Sequence, residues 1–280
     1  MASKAAEDSY TSADITVLEG LEAVRRRRDL RRRVRSVFSG PDDLHVVEGD
    51  PHERRRFMDE AVRSLWPLKE GLAPAYERVL RQRNRLLKDW EGPEDAAGLA
   101  AWDDQLVKHG VELGVARHQA VQAIEGRAAG EFHDLAGENL QVEYRPSVWG
   151  DSPEAAFRER LAARREDELI RRSTLVGPHR DDLALAVHDL AARGFASHGE
   201  AWGAAVCLRL ALGGAVGAEW GEDPLTILDD PFSGLDPDRR FRLAARVGGR
   251  GQMLMAVPDE SHVPPGATVW SVKDGAVAAA

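Results

Sequence analysis

The sequence predicts an α/β lobe with a partly parallel sheet at its carboxyl end, preceded by an all-helical subdomain. Three observations carry this reading. After Ser173, short apolar runs alternate with helical patterns, as they do in βαβ units. From Pro67 to about Gly137 the chain is rich in Ala, Leu, Arg and Glu, a helix-forming composition. The segment Leu225-Thr226-Ile227-Leu228 then runs directly into Asp229-Asp230, the pattern of a buried strand that delivers carboxylates to the sheet edge where α/β proteins bind ligands.

In chain order, residues 1–14 are polar, without period, and expected to be disordered. Ile15, Leu18, Leu21 and Val24 then recur at three-residue spacing, and Leu30, Val34 and Val37 continue at helical offsets, which predicts a helix with arginine on its wet face. Gly40-Pro41-Asp42-Asp43 breaks it, and Glu48-Gly49-Asp50-Pro51 makes a second turn. Helices are predicted at 53–65, closed by Pro67, and onward to about Gly137 with breaks at Pro74, Glu91-Gly92-Pro93 and Gly126. Residues 157–172 read as one more helix, laced with opposite charges. Beyond Ser173, strands are placed at 183–187, 225–228 and 253–257 and helices at 200–212 and 238–247, with a closing hairpin around Lys273-Asp274-Gly275. The chain thus divides into a variable segment (1–37), a helical subdomain (38–172) and an α/β lobe (173–280).

A formal charge of -9 argues against a basic coat for indiscriminate nucleic-acid binding. Local charge differs. Arg25 to Arg35 holds eight arginines and one acid, and Arg54, Arg55, Arg56, Arg81, Arg83, Arg85, Arg171, Arg172 and Arg180 form smaller clusters. Contacts to a phosphate backbone would be focused there, although a solvated helix face is the plainer reading of the long run. Cys207 is the only cysteine and has apolar neighbours, so a packed thiol and a reducing, cytoplasmic compartment are expected. No run approaches the roughly 20 apolar residues that span a bilayer, so no membrane partner is expected. The seven tryptophans are scattered rather than interleaved with arginine and are expected in the core. The histidines form no carboxylate-supported pair of the kind zinc requires.

The chemistry-bearing residues sit in four places. Asp229 suits a hard cation such as magnesium, which wants oxygen ligands, and Asp230 would then orient or deprotonate a water. The plainer alternative is that Asp229-Asp230-Pro231 simply ends a strand in a turn. Ser197-His198-Gly199-Glu200 opens a helix, offering a hydroxyl, exposed amides and the favourable dipole end to an anion; equally, Ser197 with Glu200 makes an ordinary capping box. Phe232-Ser233-Gly234-Leu235-Asp236 follows the double acid as the interface-crossing loop does in ABC-type ATPases, and Asp236 before Pro237 is also an N-cap signal. Gly177-Pro178-His179-Arg180 could present two donors to phosphate, or Arg180 could pair with Asp181 or Asp182.

Taken in order, Leu175-Val176-Gly177-Pro178-His179-Arg180-Asp181-Asp182-Leu183, Ser197-His198-Gly199-Glu200 and Leu228-Asp229-Asp230-Pro231-Phe232-Ser233-Gly234-Leu235-Asp236 resemble the RecF family of bacterial DNA replication and repair ATPases. Phe38-Ser39-Gly40-Pro41-Asp42-Asp43-Leu44, the run Gly49 to Asp59 and the run Tyr76 to Asn84 are similar to the opening of that family's helical second domain. The resemblance implies the C-terminal part of an ABC-type P-loop ATPase head, ATP-dependent dimerisation, binding to DNA at gaps or single-strand junctions, and cooperation with RecO and RecR in loading RecA. It implies Ser197, Gly199, Glu200, Ser233 and Asp236 as nucleotide-contacting residues, Asp229 for Mg2+, Asp230 as the catalytic acid, and Arg54, Arg55, Arg56 and Arg180 toward DNA. The chain departs from the pattern at Pro231 and Gly234, and Val257-Pro258-Asp259 carries no histidine. No Gly-x-x-x-x-Gly-Lys-Ser/Thr loop occurs among the 280 residues, so ATP and Mg2+ would be engaged through a phosphate loop supplied elsewhere, by a homodimer or by pairing with an intact head. A non-catalytic module that binds DNA or repair proteins is the alternative, and another ABC-type nucleotide-binding subunit a further one.

Overall fold

A computed structural model of the chain describes residues 18–19, 22–23, 34–248, 250–273 and 275–279. The expected disordered start and arginine positions 25–28 and 31–33 lie outside the described residues. Leu18–Glu19 (β1) and Glu22–Ala23 (β2) pair antiparallel, and Ser36–Ser39 is a strand (β3), where the sequence predicts helix. The reason is legible at β3. Val37 and Ser39 are buried while Ser36 and Phe38 are exposed, so a period of two wins over the three-residue spacing fitted through Val34 and Val37.

β3 pairs in parallel with Leu225–Asp229 (β7), which pairs in parallel with Met253–Ala256 (β8), making β7 the central strand. A second sheet is antiparallel and joins Leu140–Arg145 (β4), Asp182–Val187 (β5) and Leu190–Ala191 (β6). The segment read as helical therefore contributes strands as well. β4 buries Leu140, Val142 and Tyr144 and exposes the residues between, an alternation that pairs with the matching one in β5. Trp270–Lys273 (β9) and Ala276–Ala279 (β10) form the expected closing hairpin.

The principal helices are α1 (Leu44–Glu48), α2 (Pro51–Leu65), α3 (Leu72–Lys88), α4 (Ala96–Ala136), α5 (Pro153–Ala163), α6 (Arg165–Arg171), α7 (His198–Trp220) and α8 (Pro237–Val247). Pro74 falls in the first turn of α3, where its missing N–H is no loss. Gly126 does not interrupt α4, whose strong helix formers carry it for 41 residues until Gly137 takes the left-handed conformation at φ 73°. The single helix expected at 157–172 is two, meeting at Arg164.

The main core packs α7 against α4, α2 and the inner faces of both sheets, and it draws on residues either side of position 172. α7 is apolar on nearly every side, from Ala201 to Val216, which is why it sits at the centre. By length and composition it could cross a membrane, although Arg209 interrupts its apolar run; 83% of its apolar window is instead buried inside the protein. A second cluster gathers Tyr76, Val79, Leu106, Leu113, Phe157, Leu161 and Val176 where α3, α4 and α5 meet. Of the seven tryptophans, Trp202 alone is fully buried, while Trp149, Trp220 and Trp270 are exposed, so the expectation of core tryptophans fails: an amphipathic indole is satisfied at a rim.

Candidate functional site at the edge of the parallel sheet

β7 delivers Asp229 to the carboxyl edge of the parallel sheet, exposed to solvent. Asp230 follows with φ 44°, a left-handed conformation that costs an L residue about 1–2 kcal/mol. Its N–H donates to the Ala256 carbonyl of β8 at 2.9 Å, which holds the turn. Gly40, at the end of β3, closes the other flank; a Cβ there would lie 3.8 Å from that of Asp229. Pro231 and Phe232 then turn into the core, and Trp202 Nε1 donates to the Pro231 carbonyl at 3.0 Å. The carboxylate turn is thereby pinned to the start of α7.

Ser197 is the N-cap of α7. Its hydroxyl accepts from Glu200 N at 3.3 Å, and Glu200 Oε2 accepts from Ser197 N at 2.7 Å, completing a capping box. The bond from Ser197 N holds the Glu200 carboxyl below its ordinary range. Gly199 and Gly234 face each other closely. A Cβ on Gly199 would lie 3.0 Å from the Gly234 carbonyl, and one on Gly234, at φ 67°, would lie 2.8 Å from the His198 ring. Asp236 caps α8, accepting from Arg239 N at 2.9 Å, a bond that lowers its pKa. Arg239 Nη2 in turn donates to Glu138 Oε1 at 3.1 Å. The loop containing the exposed Ser233 and Asp236 thus abuts the serine-capped start of α7, and both plain capping alternatives are formed.

Two histidines outside every motif in the sequence lie nearby. The ring of His262, five residues beyond Val257, lies tilted at 60° with its centroid 6.0 Å from that of Phe232, and its Nε2 is 2.8 Å from Arg240 Nη1. His188, at φ 53°, stands 3.3 Å from Glu138 Oε2 and 3.5 Å from Glu200 Oε1. The left-handed His188-Asp189 pair joining β5 to β6 is the one local signal, since two short strands with a tight turn bring that side chain back over α7.

The arginines separate into inward and outward sets. Arg54 is 6% exposed; Nε and Nη2 grip Asp182 at 2.6 and 3.0 Å and Nη1 donates to the Gly49 carbonyl at 2.9 Å. Its guanidinium is spent inside the fold, which corrects its assignment to DNA. Arg83 is likewise buried, binding Asp103, Glu168 and Thr174 at 2.8, 2.6 and 2.7 Å. Asp181, 2% exposed, accepts from Tyr144 Oη, Ser147 N and Arg117. His179 is no surface donor either: Tyr76 Oη lies 2.6 Å from Nδ1 and the Thr174 carbonyl 3.1 Å from Nε2, and burial lowers its pKa to about 4. Arg55 is partly exposed and donates to the Asp181 carbonyl, Arg56 is exposed with an i,i+3 pair to Glu53, and Arg180 is exposed. Because Asp181 and Asp182 turn inward to Arg117 and Arg54, neither takes Arg180, contrary to the surface-pair alternative.

A central parallel strand ending in paired acids, beside a serine-capped core helix and a glycine-tight loop, defines the carboxyl-terminal part of an ABC-type P-loop ATPase head. No family model matches the chain. It is 39% identical over 268 residues to the DNA replication and repair protein RecF of Streptomyces avermitilis, covering 90% of this chain and 72% of that protein. The RecF of Frankia alni is 40% identical over 259 residues, covering 86% and 68%. The chain belongs to the RecF family. Its fold matches the recombination mediator protein RecF solved with ATPrS, in the RecFOR pathway, at a TM-score of 0.78 and 23% identity, over 92% of this chain and 71% of that one. The RecF–ATP structure of the same pathway gives 0.75 at 23% identity, over 89% and 68%.

Proposed function

We propose that this chain acts in DNA replication and recombinational repair as one face of an ATP-dependent RecF-like dimer, in the cytoplasm, with RecR- and RecO-like proteins and junction DNA as partners. The observation that carries the reading is the contact between the Gly199 turn of α7 and the Gly234 loop, at the edge where β7 presents Asp229 and Asp230. Each part suits a step. Asp229, an exposed hard oxygen donor at a strand end, would hold Mg2+, which neutralises phosphate charge when bound. Asp230 would orient the attacking water. Ser197 and Gly199, at the positive end of α7, would meet a γ-phosphate held by the opposite head, with Glu200 keeping the cap closed. Ser233 and Asp236 would line the crossing loop. Arg55, Arg56 and Arg180 remain as the outward cations for DNA.

The test separates capping from phosphate contact. Ser197→Asp keeps a good N-cap while adding a negative charge where the phosphate would sit. Mixed with an intact RecF and ATP, the wild-type chain sediments as a complex and Ser197→Asp does not, at unchanged melting temperature. Equal sedimentation of both, or none by the wild type, defeats the reading; DNA binding that is the same with and without ATP and unmoved by Asp230→Asn favours the non-catalytic alternative instead.

A further inference from the structure

A cavity of about 410 Å³ opens where α5, α6 and the turn Pro178–Arg180 converge, far along the chain from the carboxylate edge. Its volume lies within the roughly 300–1,000 Å³ typical of ligand sites, and four of its eight lining residues are arginines set around an apolar floor of Leu175 and Val176. Arg160 comes from the last turn of α5, Arg164 from the junction, Arg171 from the end of α6 and Arg180 from the turn. Asp167 is the one acid in the lining, and Arg164 Nη1 takes it at 2.8 Å. No ion pair engages Arg160, Arg171 or Arg180 among the described residues. Three guanidiniums thus converge unneutralised on one cavity in a chain of net charge -9.

The walls are built rather than loose. Arg172, left-handed at φ 54°, lays its guanidinium on the terminal carbonyls of α3, with the Trp90 oxygen at 2.6 Å. Buried Glu168 ties α6 to Arg83 of α3 and accepts from Leu175 N at 2.8 Å. Gly177 has φ 128°, and a Cβ there would strike Tyr76 Oη at 2.4 Å, so the turn that carries Arg180 is packed closely against α3. Ser147 Oγ donates to the Gly177 carbonyl at 2.8 Å and clamps it from the far side. Exposed guanidiniums carried on this held backbone match phosphate through paired N–H groups.

We infer that this arginine cavity is a phosphate-binding site that grips the DNA backbone. It rests on the proposed DNA-repair role, and extends it from Arg180 to Arg160, Arg164 and Arg171. DNA is the occupant the charge favours: three free guanidiniums exceed what one carboxylate neutralises, whereas a phosphodiester chain brings one charge per nucleotide. Removing the cation that meets one phosphate lowers the salt slope of binding by about 1.

Labelled single- and double-stranded oligonucleotides are titrated with the full chain across a salt series. The triple substitution Arg160→Gln, Arg171→Gln, Arg180→Gln is expected to weaken binding at least tenfold and to flatten the slope by about 2–3. Arg78→Gln, an exposed charge on α3 outside the cavity, should leave the slope within error of wild type. Wild-type binding whose slope the triple variant leaves unchanged overturns the cavity while the DNA-repair role stands. No binding by the wild type at low salt overturns both. Polyglutamate that competes with DNA as well as free oligonucleotide does also overturns the cavity as a DNA site, in favour of an acidic protein partner.

Discussion

Arg83 shows how a residue that reads as a surface cation can be a structural one, and Arg83→Met tests it. The guanidinium is 0% exposed, as is its partner Glu168, and it makes three side-chain hydrogen bonds that tie α3 to α4, α6 and the segment after α6. Methionine fills much of the same space but leaves Glu168 a buried, unneutralised carboxylate held only by Leu175 N. Removing one partner of such a pair costs about 3–5 kcal/mol, most of it the penalty of the stranded charge. For a chain of this size that is a fall in Tm of order 10 °C. Urea unfolding of Arg83→Met, Glu168→Leu and the double variant closes a cycle. Because the double variant strands no charge at Glu168, it should be more stable than Arg83→Met alone. A loss below about 1 kcal/mol for Arg83→Met, or additivity of the two single losses, would refute the reasoning.

Further outcomes follow from single contacts. Folding holds His179 neutral, with its pKa lowered from 6.5 to about 4, so the unfolded chain binds the extra proton between those values and stability falls as pH drops through that window. Urea unfolding at pH 5 against pH 7.5 should show a loss of about 2 kcal/mol that His179→Gln flattens; an identical pH slope in the variant would exclude the histidine as its source. Gly177→Ala forces a strained φ and a 2.4 Å contact onto buried Tyr76, and should cost at least about 2 kcal/mol in a thermal melt. Gly234→Ala meets only the edge of an exposed His198 ring, so its loss should be limited to the backbone term of about 1–2 kcal/mol. Arg54→Ala should destabilise the fold, whereas Arg56→Ala should leave the melt within about 0.5 kcal/mol of wild type.

Features encoded within a few residues are legible in the sequence itself. The strand into Asp229-Asp230, the capping pair Ser197 and Glu200, and the cap at Asp236 are local, since a cap or a turn is satisfied by neighbours three positions away. β4 escapes a sequence reading although Leu140, Val142 and Tyr144 alternate, because its partner β5 lies beyond two intervening helices. β3 reads as helix because a three-residue spacing through Val34 and Val37 competes with a short alternation whose partner is β7.

What the sequence alone determined is therefore the family, the carboxylate strand and the capping chemistry around it. Only the tertiary structure decided which arginines serve the fold and which face outward. Arg54 and Arg56 sit two positions apart on one helix, yet one grips Asp182 inside and the other meets solvent. Burial and partner choice depend on distant segments arriving at the same place, and no window of neighbouring residues holds that information.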